Sequence, residues 1–183
     1  RVRTLALWLI YFMGFLAMYF MLSWLPTLFV DSGYTRVQGI DALTGFNLGA
    51  LPGILLLGFL TTRLPLVSLL SLFFLTAAAV LVWIGLTQPS ELSTLMMLMF
   101  AGGFFLHGGF ACLYALAARL YPSDVRAAGV GWAAGLGRMG AILSPLLAAA
   151  LLSAGWGMYN LFSLFALPLI AGGLLLWVFT GDD

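Results

Sequence analysis

Long apolar runs and short polar interruptions alternate along this chain. Six apolar spans separate in this way: about Thr4 to Val30, Ala42 to Leu60, Leu66 to Leu86, Leu92 to Leu120, Ala127 to Leu152 and Trp156 to Thr180. The cluster Asp31, Ser32, Gly33, Tyr34, Thr35 and Arg36 closes the first, and Thr61, Thr62, Arg63 and Pro65 turn the second into the third. Gln88, Pro89, Ser90 and Glu91 end the third, and Tyr121 to Arg126 ends the fourth. Runs of about 20 apolar residues are long enough to cross a hydrocarbon core roughly 30 Å thick as helices. Barrel strands would alternate apolar and polar positions, whereas these runs are apolar all round. The pattern predicts an all-α membrane protein of six transmembrane helices.

Composition removes the soluble alternative. The chain is 63% hydrophobic and 7% charged, whereas a soluble domain carries roughly 25% charged residues. The formal net charge is +1, with arginines and no lysine, so nothing favours a nucleic-acid partner. The single cysteine, Cys112, lies in an apolar run and carries no redox information. The first span is too long for a signal peptide and lacks its small-residue cleavage pattern. The chain begins at Arg1 rather than Met, and membership of a longer polypeptide is expected. Orientation follows from the arginines: Arg1, Arg3, Arg63, Arg119 and Arg126 share one side, against Arg36 on the other. By the positive-inside rule both termini are expected in the cytoplasm.

Candidate chemistry lies inside the spans. Arg138 is about 11 residues into the fifth span, or roughly 16 Å at 1.5 Å per residue, near the bilayer midplane. A lone arginine there costs at least about 2.5–3.5 kcal/mol. At 100° per residue Ala127, Gly131, Ala134, Ile142, Pro145 and Ala149 share its side, while Trp132, Leu136, Met139, Leu143 and Leu147 take the flanks and back. The small-residue strip predicts that Arg138 points into the protein. It is either a fork for a substrate carboxylate or a structural arginine bonded to carbonyls.

His107, the sole histidine, is expected at similar depth on the fourth span, on a face with Phe100, Gly103, Phe104, Ala111 and Tyr114. It serves as a ligand for an acid or hydroxyl, or is satisfied by a neighbouring helix. Tyr11, Phe15 and Tyr19 recur every four residues on the first span, as a cavity lining or as plain packing. Asn47, near Gly45 and Gly49, needs a partner from another helix or a ligand. No phosphate loop, paired catalytic carboxylates or cysteine–histidine metal spacing is present, so no enzyme, cofactor or metal is expected. Asp31, Asp41, Glu91 and Asp124 are read as loop residues and Asp182 and Asp183 as terminal, which leaves no carboxylate within a span.

Residues Tyr121-Pro122-Ser123-Asp124-Val125-Arg126-Ala127-Ala128-Gly129-Val130-Gly131-Trp132, with Gly135, Gly137-Arg138-Met139-Gly140-Ala141-Ile142 and Pro145, resemble the major facilitator superfamily, and within it the aromatic acid:proton symporters. Tyr19, Trp24-Leu25-Pro26-Thr27-Leu28 and Asp31-Ser32-Gly33 are similar to that family's seventh helix. Gly58-Phe59-Leu60-Thr61-Thr62-Arg63 is similar to the superfamily's cytoplasmic turn motif, with Thr62 in place of the usual acid. The resemblance implies helices seven to twelve of a twelve-helix transporter, built from two inverted three-helix units, residues 1–90 and 91–183. It also implies a bacterial inner-membrane symporter of small aromatic acids and protons, whose N-terminal six-helix half supplies the other cavity wall. Arg138, His107, Tyr114, Tyr19 and Asn47 are the expected substrate contacts, while Arg126, Asp124 and Arg63 belong to gating and topology. A carrier of other organic acids, sugars or drugs, or a non-transporting subunit of the same fold, stays open.

Overall fold

The computed structural model describes residues 2–179. Seven helices follow one another: α1 (Val2–Asp31), α2 (Arg36–Leu48), α3 (Ala50–Leu60), α4 (Leu66–Thr87), α5 (Leu92–Leu120), α6 (Arg126–Ser153) and α7 (Met158–Leu175). A 3-10 turn, Leu176–Phe179, extends α7. Helices α2 and α3 form one span, so six segments are long and apolar enough to cross a membrane. The chain is a multi-pass, all-α membrane protein. Arg1, the expected end of the sixth span at Thr180, and Asp182 and Asp183 lie outside the described residues.

The second span departs from the sequence reading twice. It begins at Arg36, not Ala42, because Thr35 and Gln38 form a capping box: Thr35 Oγ1 accepts from Gln38 N at 3.2 Å, and Thr35 N donates to Gln38 Oε1 at 2.8 Å. Two orphan donors are thereby satisfied ahead of the apolar run. Asp41, expected in a loop, is consequently an exposed residue of α2. The span is also interrupted at Gly49. Pro52 has no N–H to give Leu48 O, so the ladder loses a rung at that point.

Packing follows two parallel seams. Helix α1 lies chiefly against α6, and α5 against α2 and α3. On α6, Gly137 faces Tyr11 and Phe15, and any side chain at Gly140 would collide with the Phe12 carbonyl oxygen. In the other seam Gly49 and Gly53 abut the backbone of Phe100 and Phe104, and Gly103 abuts that of Phe46. Glycine is required at these contacts because only hydrogen fits between two helix backbones. Helices α4 and α7 pack on each other, and each also touches one member of the α1–α5 pair: α4 lies on α5, and α7 on α1. Between them Ser71 Oγ, buried, donates to Gly173 O at 2.8 Å and accepts from Trp177 Nε1 at 3.0 Å.

The loops sort by end. Tyr34 Oη donates to Ser90 O at 3.4 Å and Tyr159 Oη to Pro89 O at 3.3 Å, tying the α1–α2 and α4–α5 connections to the start of α7. At the opposite, arginine-rich end Arg63 and Arg119 share one shallow recess.

Candidate functional site

Helices α1 and α5 meet through aromatic side chains. The Tyr11 ring stands edge-on to Tyr114 at 5.3 Å between centroids, and Phe15 edge-on to Phe110 at 4.7 Å. Partner numbers rise on α1 as they fall on α5, so the two helices are antiparallel. Tyr19, 38% exposed, lies beside Phe15 at 5.9 Å, and Tyr114 is 39% exposed. Such edge-on pairs hold their geometry through ring quadrupoles as well as burial. Tyr19 and Tyr114 are therefore joined through one aromatic cluster, with both rims open.

His107 lies one helical turn from Phe110, half-buried, with its ring 4.8 Å from that of Phe46 on α2. Its Nδ1 is 3.0 Å from Gly103 O. A carbonyl only accepts, so the proton sits on Nδ1 and the Nε2 lone pair is left for another donor. The partner comes from its own helix, not from a neighbouring one. Asn47 behaves alike. It is exposed, and its Nδ2 donates to Leu43 O at 2.9 Å, so the expected interhelical bond is not made and Oδ1 remains available.

Arg138 requires a correction. The small-residue strip that it shares is not the face that packs within the chain. The packed face is Ala133, Gly137, Gly140, Ser144 and Ala148, against α1. Arg138 is exposed, and Cβ atoms added at Gly131 and Gly135 on its side meet nothing within 4 Å. Alanine and glycine populate two faces of α6, and spacing alone does not tell which one is covered. Gly137 touches Tyr11 and Phe15, and Arg138, the next residue, is turned about 100° from that contact, towards the uncovered side of α6.

The remaining candidates lie at the arginine-rich end. Arg63 rides over the Phe59 ring at 5.3 Å. Asp124 accepts from Ser123 Oγ at 2.9 Å, and Arg126 Nε donates to Tyr121 O at 3.3 Å, so Asp124 and Arg126 serve the loop separately. Some residues escaped the sequence reading as polar groups, Ser144 and two tyrosines among them. Tyr11 Oη and Tyr121 Oη are buried without a hydrogen-bond partner among the described residues. The four-residue repeat marked Tyr11 only as a ring.

A recess of about 590 Å³ lies elsewhere, among Phe12, Leu16, Leu151, Phe165 and Pro168. It is wholly apolar and offers nothing to an anion. The polar groups left exposed or half-exposed are instead the Arg138 guanidinium on α6, the His107 imidazole and Tyr114 phenol on α5, the Tyr19 phenol on α1 and the Asn47 amide oxygen on α2.

A family model described as Major Facilitator Superfamily matches residues 7–183. The 3-(3-hydroxy-phenyl)propionate transporter of Escherichia coli (strain K12) is 35% identical over 96% of this chain and 43% of its own length. The gallate transporter of Pseudomonas putida is 37% identical over 95% of the chain and 38% of its own length. The 4-hydroxybenzoate transporter PcaK of Pseudomonas aeruginosa is 37% identical over 90% of the chain and 37% of its own length. The chain thus spans about two fifths of the length of these relatives.

Proposed function

The chain belongs to the major facilitator superfamily, and on that premise we propose that it forms the C-terminal half of a proton-coupled importer of small aromatic carboxylic acids. The observation that carries this reading is the aromatic cluster between α1 and α5, with Tyr19 and Tyr114 half open at its rim and the exposed Arg138 on α6, the helix packed against α1. An aromatic acid needs a flat apolar wall for its ring and a fork for its carboxylate, and an arginine supplies the fork bidentately. The relatives whose names specify gallate, 4-hydroxybenzoate and hydroxyphenylpropionate support that substrate class. In this reading an N-terminal half closes over the rim and covers Gly131 and Gly135, and both termini lie in the cytoplasm of a bacterial inner membrane. Protons enter through that other half.

The contact pattern supports two inverted units. Exchanging the first span with the fourth, the second with the fifth and the third with the sixth turns one parallel seam into the other, and leaves the α4–α7 pair unchanged. Such an inverted repeat is the architecture of each superfamily half. An experimental structure in which the units superpose only as parallel copies would sink it.

The test is uptake of labelled 4-hydroxybenzoate by the complete transporter, with and without a proton gradient. Arg138→Ala should lose at least about tenfold in uptake at subsaturating substrate, and Arg138→Lys should recover only part of it, because the point charge lacks the fork. Normal uptake by Arg138→Ala ends the proposal for this residue.

A further inference from the structure

Helices α6 and α7 both rest on α1, yet they scarcely touch each other among the described residues. The gap between them is the apolar recess of about 590 Å³, floored by Phe12 and Leu16 of α1 and walled by Leu147 and Ala150 of α6 and Leu167 and Pro168 of α7. Leu164 and Leu167 also line a second recess, about 440 Å³, which opens beside Trp156, Asn160 and Ser163 at the α6–α7 connection. That end lies opposite the arginine-rich one, because Tyr159, next to Asn160, bonds Pro89 O. The two recesses form one groove along α7, from Asn160 to Ala171. That stretch of helix rises roughly 16 Å, about half of a hydrocarbon core ~30 Å thick and so the depth of one leaflet.

Polarity changes along the groove. Its deep part is wholly apolar, whereas its mouth carries polar side chains. Ser163 Oγ donates to Tyr159 O at 3.2 Å, but the Trp156 indole and the Asn160 amide have no hydrogen-bond partner among the described residues. No charged residue lines either part, so nothing there suits a carboxylate substrate. Leu147 is nine residues beyond Arg138, half a turn round α6, so the groove lies on the flank opposite the one that the transport reading gives to the other half. Inside a bilayer a hydrocarbon chain gains no hydrophobic energy by leaving its neighbours, and only dispersion with the surrounding walls holds it. A groove walled on three sides holds one chain more firmly than a convex helix surface does. Indole and amide N–H groups at the mouth match the ester oxygens of a lipid, which only accept.

We propose that this groove binds one phospholipid from the leaflet away from the arginine-rich end, its acyl chain laid between α6 and α7 and its glycerol-ester oxygens held by Trp156 and Asn160. The complete protein is reconstituted in vesicles of phosphatidylethanolamine and phosphatidylglycerol, extracted in mild detergent, and measured by native mass spectrometry under activation that strips the loose annulus. The unaltered protein should retain a phospholipid. Ala150→Trp and Leu167→Trp fill the recess from its two walls, and each should cut the retained fraction about tenfold, while Asn160→Ala should cut it severalfold. Thermal melting identifies any variant that fails to fold, and the remaining ones decide. No retained lipid in the unaltered protein, or equal retention in the folded variants, overturns the proposal. A mass of two protein copies that Ala150→Trp returns to one also overturns it, because the occupant would then be a second chain.

Discussion

The two parallel seams bring helices equally close by different means. Between α5 and the α2–α3 span, glycine lies on both sides: Gly49, Gly53, Gly103 and Gly108 each face backbone of the other element, and Gly108 meets Gly53. Between α1 and α6, glycine lies on α6 only: Gly140 is met by the Phe12 backbone, but Gly137 by the Tyr11 and Phe15 side chains. Backbone against backbone has one arrangement, while a seam walled by aromatic rings has several rotamers. The contrast extends to polar groups. The partnerless oxygens of Tyr11 and Ser144 both lie on the α1–α6 side, and none is found on the residues of the glycine-lined contact. One seam is fixed along its length, while the other is fixed at Gly140 and keeps side-chain freedom and unspent donors beside Gly137. Rearrangement is therefore expected at α1–α6.

Substitution of Gly53 tests the first half of that contrast most severely. Gly53→Val places branched carbons on the Phe104 carbonyl, and neither backbone has room to yield. The expected loss exceeds about 3 kcal/mol, the upper end of ordinary overpacking, and appears as failure to recover a monodisperse protein. Recovery with an unchanged melting temperature would erase the distinction.

A milder loss is expected in the other seam. A Cβ at Gly137 meets Tyr11 Cβ at 2.8 Å and a Phe15 ring carbon at 2.9 Å; the Phe15 ring can turn aside, whereas Tyr11 Cβ moves only with the α1 backbone. Gly137→Ala should cost about 1–2 kcal/mol, read from thermal unfolding, and should slow transport by displacing the aromatic cluster. Equal losses at Gly53 and Gly137 would show that the seams do not differ.

Arg126→Gln probes the loop next to the adjustable seam. It weakens the hold on Tyr121 O, so turnover should fall severalfold while the preference among aromatic acids stays the same. An altered preference would place Arg126 in the binding site. The smallest effect belongs to Ser144→Ala. This residue is 0% exposed with no acceptor for its hydroxyl, so stability should change by less than about 1 kcal/mol and in the stabilising direction.

Much of this architecture was legible in the sequence, because membrane spans are set by length and by the exclusion of charge. Four helices, α1, α4, α5 and α6, begin and end within two residues of where polar punctuation puts them. The second span shows what was not legible. Its start depends on reciprocal bonds between Thr35 and Gln38, which extend a helix through Arg36 and Asp41 where polarity alone marks a loop. Arg138 shows the same limit on another scale. Its depth and helical side follow from spacing, yet the covered face of α6 was decided by the rings of Tyr11 and Phe15, more than a hundred positions away. His107 and Asn47 each bond a carbonyl of their own helix, an arrangement that leaves no signature in composition.

The Ser71 clasp bears on how the molecule is made. Its acceptor at Gly173 lies 102 positions further along the chain. The third span must therefore enter the bilayer with a hydroxyl that waits through the synthesis of the next two spans. Until α7 arrives, the nascent bundle carries an unclosed polar notch on α4, beside the groove that Gly173 later fills against Leu75 and Phe74. The last helix thus acts as a completion signal. Chains halted before it should be recognisably unfinished to quality-control proteases, and a pulse–chase comparison of chains ending before and after α7 should find the shorter ones degraded faster.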